Sequence, residues 1–223
     1  MSAPSPRAKK DVGAHFDRSA PAFDAIYTGE GVSPLRRLVH RVFFHDVHWR
    51  LALTLAECDA LAGASVLDIG CGSGVYLAEL GRRGAARLVG LDFAPAMIEL
   101  AQRRIAAAGL AQLTELRATD FLAYPVEGPF DYTLAVGVFD YFRDPGPLLA
   151  KMKSVTRRKA IATFPQLWNP WTAVRRVRYA LAVRDCPVHF FSRARVRRLM
   201  RSAGFREVRV RALTNIFFAV GVP

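Results

Sequence analysis

Apolar residues follow two rhythms along this chain, and the change between them divides it. Residues 1–10 are polar and basic and hold two prolines, which predicts a disordered tail. Between residues 11 and 28, Phe16, Phe23, Ile26 and Tyr27 offer apolar anchors for one or two short helices. Ser33 and Pro34 read as a helix start, because Pro suits the first helical position. Leu35, Leu38, Val39, Val42 and Phe43 then recur at helical spacing, and the helical stretch is expected to reach about residue 61. From residue 65 short apolar runs take over. Strands are predicted at 66–69, 88–92, 113–118, 132–137, 159–164, 207–213 and 215–220. Helices are predicted between them at 75–83, 95–108, 147–155 and 192–203. Gly109 and Gly204 mark two helix ends, and Ser192 caps a beginning.

Alternating strands and helices predict an α/β fold, doubly wound, whose sheet is mostly parallel. The last two strands read as a hairpin that adds one antiparallel strand. The expected organisation is a tail at 1–10, an N-terminal helical lid at 11–62 and one α/β domain at 63–223. An insert at 165–191 follows the fifth strand, and Asn169 with Pro170 starts a helix there. Trp168, Trp171, Val174 and Val177 share one side of that helix, flanked by Arg175, Arg176 and Arg178.

Length and charge narrow the picture. A chain of 223 residues suits one such domain with a full core. Cys58, Cys71 and Cys186 have no paired spacing, which fits a reducing, cytoplasmic setting. The N-terminus lacks a signal-peptide core, and no apolar run reaches the roughly 20 residues of a membrane span. Residues 151–223 hold 17 Lys and Arg against Asp185 and Glu207 alone, a net of +15, while residues 1–150 net −2. That asymmetry fits an acidic substrate, an anionic membrane surface or a nucleic acid, and equally a surface kept soluble by arginine.

The candidate chemistry sits at the strand ends. Gly70, Gly72 and Gly74 let the backbone approach a ligand closely. A dinucleotide fingerprint fails, because Val75 stands where its last glycine belongs, and no Lys-Ser or Lys-Thr completes a phosphate loop. Asp68 at the end of the first strand would repel a pyrophosphate and suits a ligand with a cationic tail and a sulfonium. Asp92 ends the second strand, where a carboxylate can bind both hydroxyls of a ribose. Asp120 and Phe121 follow the third strand and can complete a base pocket.

Four runs, 66–74, 90–97, 118–121 and 130–138, together resemble the class I methyltransferases. The resemblance implies a seven-stranded sheet and S-adenosylmethionine as cofactor. It implies that Asp68, Gly70, Cys71, Gly72 and Gly74 meet the methionine part, Asp92 the ribose, and Asp120 with Phe121 the adenine. Phe93 and Met97 would line the adenosine pocket, with Val136 at the end of the fourth strand. The N-terminal pattern also faintly resembles quinone and magnesium-protoporphyrin O-methyltransferases, which implies transfer to a small apolar or acidic acceptor. The fourth-strand loop departs from the latter, with Val138, Phe139, Asp140 and Tyr141 in place of a His-containing loop.

The acceptor is expected beyond the strand carboxyl ends, against Tyr27, Phe139, Trp168 and Trp171. His189 is the first candidate for a base, because His titrates near neutrality, and Asp140 and Tyr141 follow it. His40, His45, Asp46 and His48 show no metal-site pattern, so no metal is expected. The rival readings are an RNA methyltransferase and a non-catalytic protein that binds cofactor or membrane.

Overall fold

The computed structural model describes residues 45–167 and 189–223. In chain order its helices are α1 (His45–Glu57), α2 (Val75–Arg82), α3 (Pro95–Ala107), α4 (Gly146–Ser154) and α5 (Arg193–Ser202). Its strands are β1 (Ser65–Ile69), β2 (Arg87–Asp92), β3 (Thr114–Ala118), β4 (Phe130–Ala135), β5 (Thr156–Pro165), β6 (Glu207–Ala212) and β7 (Ile216–Val222). They form one sheet in the order β3-β2-β1-β4-β5-β7-β6. β1 to β5 pair in parallel, and β7 enters antiparallel between β5 and β6. This is the expected doubly wound α/β sheet with its antiparallel terminal hairpin.

Strand periodicity explains the two layers. Side chains alternate across a strand, so Val66 and Leu67 of β1 enter different cores. Val66 joins Leu55 of α1, Leu77 and Leu80 of α2, and Ile98 and Ile105 of α3 on one face. Leu67 joins Leu148 and Met152 of α4 and Val196 and Met200 of α5 on the other. A strand covered on both sides is buried almost throughout, as β1, β4 and β7 are, and β7 is apolar along its whole length.

The boundaries moved most at β4 and β5. β4 begins at Phe130, two residues before the predicted start, because Asp131 is tied into the sheet by Ser65, whose N–H and hydroxyl donate to its carboxylate. It ends at Ala135, because the Gly137 N–H leaves the ladder and donates to Thr163 Oγ1 at 2.8 Å. β5 begins at Thr156, three residues before the predicted start, ahead of Arg157 and Arg158, whose charges read as a loop. There Thr156 Oγ1 meets Thr133 Oγ1 of β4 at 2.6 Å in a buried pair, and Lys159 is neutralised by Glu57 and Asp59. α1 continues the predicted N-terminal helical stretch; the rest of that stretch, and residues 168–188 of the insert, lie outside the described residues. The sheet order reverses between β1 and β4. Strands diverge into helices on opposite faces there, leaving a crevice at their carboxyl ends.

Candidate functional site

The crevice is floored by the turn between β1 and α2. Gly70, Gly72 and Gly74 take φ of 69°, 52° and 75°, a region closed to most side chains. A Cβ on Gly70 would stand 2.6 Å from Val138 Cγ2, so the chain leaving β4 runs directly against the turn. The Gly70 and Cys71 N–H groups donate to the Leu91 carbonyl at 2.7 and 3.0 Å. The Asp92 carboxylate accepts from the Gly72 N–H at 2.9 Å and from the Ala94 N–H at 3.0 Å. Arg104 of α3 donates to the Ser73 carbonyl and, at 2.6 Å, to the Ser73 hydroxyl. The turn is therefore held from β2, from Asp92 and from α3 before any ligand arrives.

Asp68 supplies the charge of this cradle. It is 2 % exposed, and its Oδ2 makes no hydrogen bond. Burial pushes its carboxyl well above the usual carboxylate range, and the negative charge of Asp92 pushes it further the same way. The Cys71 thiol is raised by burial and by the same two carboxylates. An enclosed carboxylate beside another carboxylate, with an oxygen lacking a donor, is the environment that a cationic N–H donor completes.

The chain after β3 forms the next wall. The Asp120 carboxylate accepts from the Leu122 N–H at 2.9 Å, and its carbonyl accepts from Ala123 and Tyr124. Lys151 of α4 closes this turn from beneath. Its Nζ donates to the carbonyls of Phe121, Leu122 and Tyr124 at 2.6, 3.1 and 2.6 Å and lies 4.9 Å from the Phe121 ring centre. Phe121 and Met97 are 3 % and 1 % exposed, so their side chains back the pocket from within the packing. Phe93 is half-buried beside the main core.

Beyond β4 lie the candidate acceptor residues. Val136 is half-buried at the strand exit, and Arg50 of α1 reaches across to it, with Nη1 3.5 Å from where a Cβ on Gly137 would be. Phe139, Asp140 and Tyr141 form a short 3-10 turn. Phe139 is fully enclosed and stacks on Phe164 at 4.5 Å, with Phe191 edge-on to Phe164 at 5.3 Å. Its ring belongs to the core, although its position in sequence points to the acceptor. The main-chain N–H of His189 donates to the main-chain carbonyl of Asp140 at 2.7 Å, so the backbones of two candidate catalytic residues, far apart in sequence, meet at one place. Burial holds the His189 imidazole below its ordinary value, and the charges of Arg143 and Arg195 act in the same direction. Arg195 lies over the Phe191 ring at 4.8 Å and donates to the Arg143 carbonyl at 3.3 Å. Tyr27, Trp168 and Trp171 lie outside the described residues.

Arg104, Lys151 and Val138 escaped the reading of the sequence. A weak signal existed for two of them: Arg104 stands next to Ile105, and Lys151 next to Met152, each on a helix otherwise packed through those residues. No local pattern marks Val138 as the contact of Gly70.

The matches with known proteins agree with this geometry. A family model described as a methyltransferase domain matches residues 66–159. The chain is 35 % identical over 153 residues to magnesium-protoporphyrin O-methyltransferase of Rhodobacter capsulatus, covering 67 % of this chain and 66 % of that protein. It is 32 % identical over 96 residues to demethylmenaquinone methyltransferase of Tropheryma whipplei, covering 36 % of this chain and 38 % of that protein. The chain thus spans just under two thirds of the first relative and well under half of the second. Among solved structures, magnesium protoporphyrin IX methyltransferase of Synechocystis with bound S-adenosylhomocysteine superposes with a TM-score of 0.71 at 19 % identity, over 96 % of this chain and 99 % of that one. At that identity the likeness is one of fold.

Proposed function

The chain belongs to the class I S-adenosylmethionine-dependent methyltransferases, and on that premise we propose that it methylates an oxygen of a small acidic acceptor. The observation that carries the proposal is the meeting of His189 with Asp140 beyond β4, beside Arg143 and Arg195. The named activity of the Rhodobacter relative, an O-methyltransferase, supports the same choice of atom.

The cradle fits the cofactor on its own chemistry. Asp68 Oδ2 is buried without a donor, and the amino acid end of S-adenosylmethionine offers a cationic one. The turn runs at positive φ through Gly70, Gly72 and Gly74, so its backbone is bare of side chains and lets a ligand approach closely. In this reading Asp68, Gly70, Cys71, Gly72 and Gly74 hold the methionine part and Asp92 the ribose. Asp120, with Phe121, Phe93, Met97 and Val136 around it, holds the adenine side. When bound, the cofactor supplies an electrophilic methyl group on a sulfonium.

The protein's own residues do the rest by positioning and charge. In-line attack gains most from holding the acceptor oxygen in line and excluding water. Arg143 and Arg195 draw an anionic acceptor to the exit of β4 and stabilise the oxygen in its charged form. His189, kept below its ordinary value, is a base that can take the proton a hydroxyl acceptor loses as its oxygen attacks the methyl group; an acceptor already ionised needs none. The Asp140 carbonyl fixes the backbone at His189, and Asp140 and Tyr141 stand after His189 as candidates for the base. Tyr27, Trp168 and Trp171 keep their sequence-based assignment to the acceptor, on segments 11–62 and 165–191.

The test is methyl transfer from labelled cofactor into a panel containing a carboxylated porphyrin, a phenol, a quinol, an amine and an RNA. Label on the oxygen of an acidic member supports the proposal. Label confined to the amine or to RNA overturns the acceptor, and failure to bind S-adenosylhomocysteine overturns the cradle.

A further inference from the structure

Apart from Arg195, the positive charge of the C-terminal third has no part in the chemistry above, yet it is not scattered. α5 reads Arg193-Ala-Arg-Val-Arg-Arg-Leu-Met-Arg-Ser202 and contains no acidic residue. Val196 and Met200 are fully buried against the sheet. At 3.6 residues per turn, Arg198 and Arg201 fall on the side turned away from Val196 and Met200, Arg197 flanks them and Arg193 lies near the Met200 edge, and all four are exposed. Only Ala194 and Ser202 share that side with them. Arg206 follows just past the helix and is also exposed. Arg193 is held by the Val210 carbonyl. Among the described residues, no carboxylate pairs with Arg197, Arg198, Arg201 or Arg206, although charged helix faces are ordinarily interleaved with acids at spacings of three or four. A single-signed row of this kind repels itself and is stabilised by an external anion.

The position of the row adds a second observation. α5 begins just after Phe191, whose carbonyl accepts from the Leu167 N–H at 2.8 Å. Leu167 is 37 % exposed, one of few large apolar side chains so exposed among the described residues. Arg143 is exposed nearby, in contact with Arg195. The row of arginines therefore starts at the acceptor end of the sheet, beside an exposed leucine.

We propose that the outer face of α5 is a docking surface for an anionic lipid membrane, which it meets with the acceptor end of the sheet close to the headgroups. Charge complementarity sets the sign of the partner, and Leu167 at the end of the row supplies an apolar contact that headgroups accept and a phosphate backbone does not. A single-stranded nucleic acid would instead want aromatic platforms on which bases stack. The described residues put no exposed ring on this face; their one exposed large aromatic, Trp49, is on α1. The proposal is independent of the acceptor chemistry and concerns where the protein works.

The experiment is co-sedimentation of the full chain with phosphatidylcholine vesicles, with and without phosphatidylserine, at low salt. Binding is expected only with phosphatidylserine and is lost as salt rises. Near an anionic surface each arginine strengthens partition roughly fivefold, so R197Q/R198Q/R201Q is expected to weaken it roughly hundredfold. R82Q/R83Q, on exposed residues at the end of α2, is expected to bind as the parent does. The melting temperature and the affinity for S-adenosylhomocysteine of the triple variant should match the parent, which separates lost docking from lost folding. No binding to phosphatidylserine vesicles, or parent-like binding by the triple variant, overturns the proposal. So does a result in which the same three arginines govern binding to an RNA while vesicles are ignored.

Discussion

Replacing Asp68 by Asn changes one charge and almost no shape, and it should make the ligand-free protein more stable while weakening its hold on cofactor. In the folded chain burial and Asp92 raise the Asp68 carboxyl well above its value in an unfolded chain. Between those two values the folded state holds a proton that the unfolded state has released, so stability falls as pH rises through the window. One proton corresponds to about 1.4 kcal/mol per pH unit. Asn does not titrate, so the stability difference between variant and parent should grow at up to that slope and level off once pH passes the folded-state value. For a chain of this size about 1 kcal/mol moves the melting temperature by about 2–4 °C, so the gap should widen by about 3–6 °C per pH unit. Thermal melts of both ligand-free proteins from about pH 5 to about pH 8 read this directly, and comparing the two cancels the titrating groups that do not interact with Asp68. The same substitution removes the negative partner of a cationic ligand in an enclosed site, where truncating a charge pair costs about 2–5 kcal/mol. Titration with S-adenosylhomocysteine should therefore show at least roughly thirtyfold weaker binding. Parallel melting curves, or unchanged affinity, would refute the reasoning.

Three further outcomes follow from other contacts. Gly70→Ala should lose about 1–2 kcal/mol from its positive φ and about 1–3 kcal/mol from the clash with Val138; Val138→Ala should recover only the second part, and a double-mutant cycle in urea with no coupling would deny the contact. Arg104→Ala should weaken S-adenosylhomocysteine binding about tenfold or more, because a charged donor to Ser73 is lost, while turnover at saturating cofactor stays near the parent's. Arg104→Lys should restore part of the affinity, and a fall in turnover alone would mean that Arg104 does not act through the turn. His189→Gln should reduce turnover about 10²–10⁴-fold with cofactor affinity unchanged. Since His189 is held below its ordinary value, the parent's activity should fall only as pH drops below the usual histidine range, and the variant should lack that limb. A parent-like rate or an unchanged pH profile would remove His189 from the chemistry.

Several features are legible in the sequence because their causes are local. The apolar run at 66–69, the glycines after it and the carboxylates at three strand ends each follow from neighbours in sequence. Burial on both faces demands continuous apolar strands, and a tight turn against a ligand demands glycine. The edges of β4 and β5 were misplaced because Asp131 and the basic start of β5 look like loop. Their charges are satisfied across the sheet, by Ser65 and by Glu57 and Asp59, and no sequence window contains those partners.

The sequence by itself determined the strand-turn-helix cradle, its acidic character and the doubly wound sheet. Tertiary structure alone decided what each group faces. It left Asp68 Oδ2 without a donor and took Phe139 from the acceptor into a stack with Phe164. It sent Arg104 to Ser73 and Lys151 to the carbonyls after Asp120 and brought His189 to Asp140. Periodicity reports which residues are buried, because burial is a property of a face. Partnership between distant residues depends on the order in which strands lie side by side, and here that order reverses between β1 and β4. The reversal opens the crevice and selects which chain ends line it.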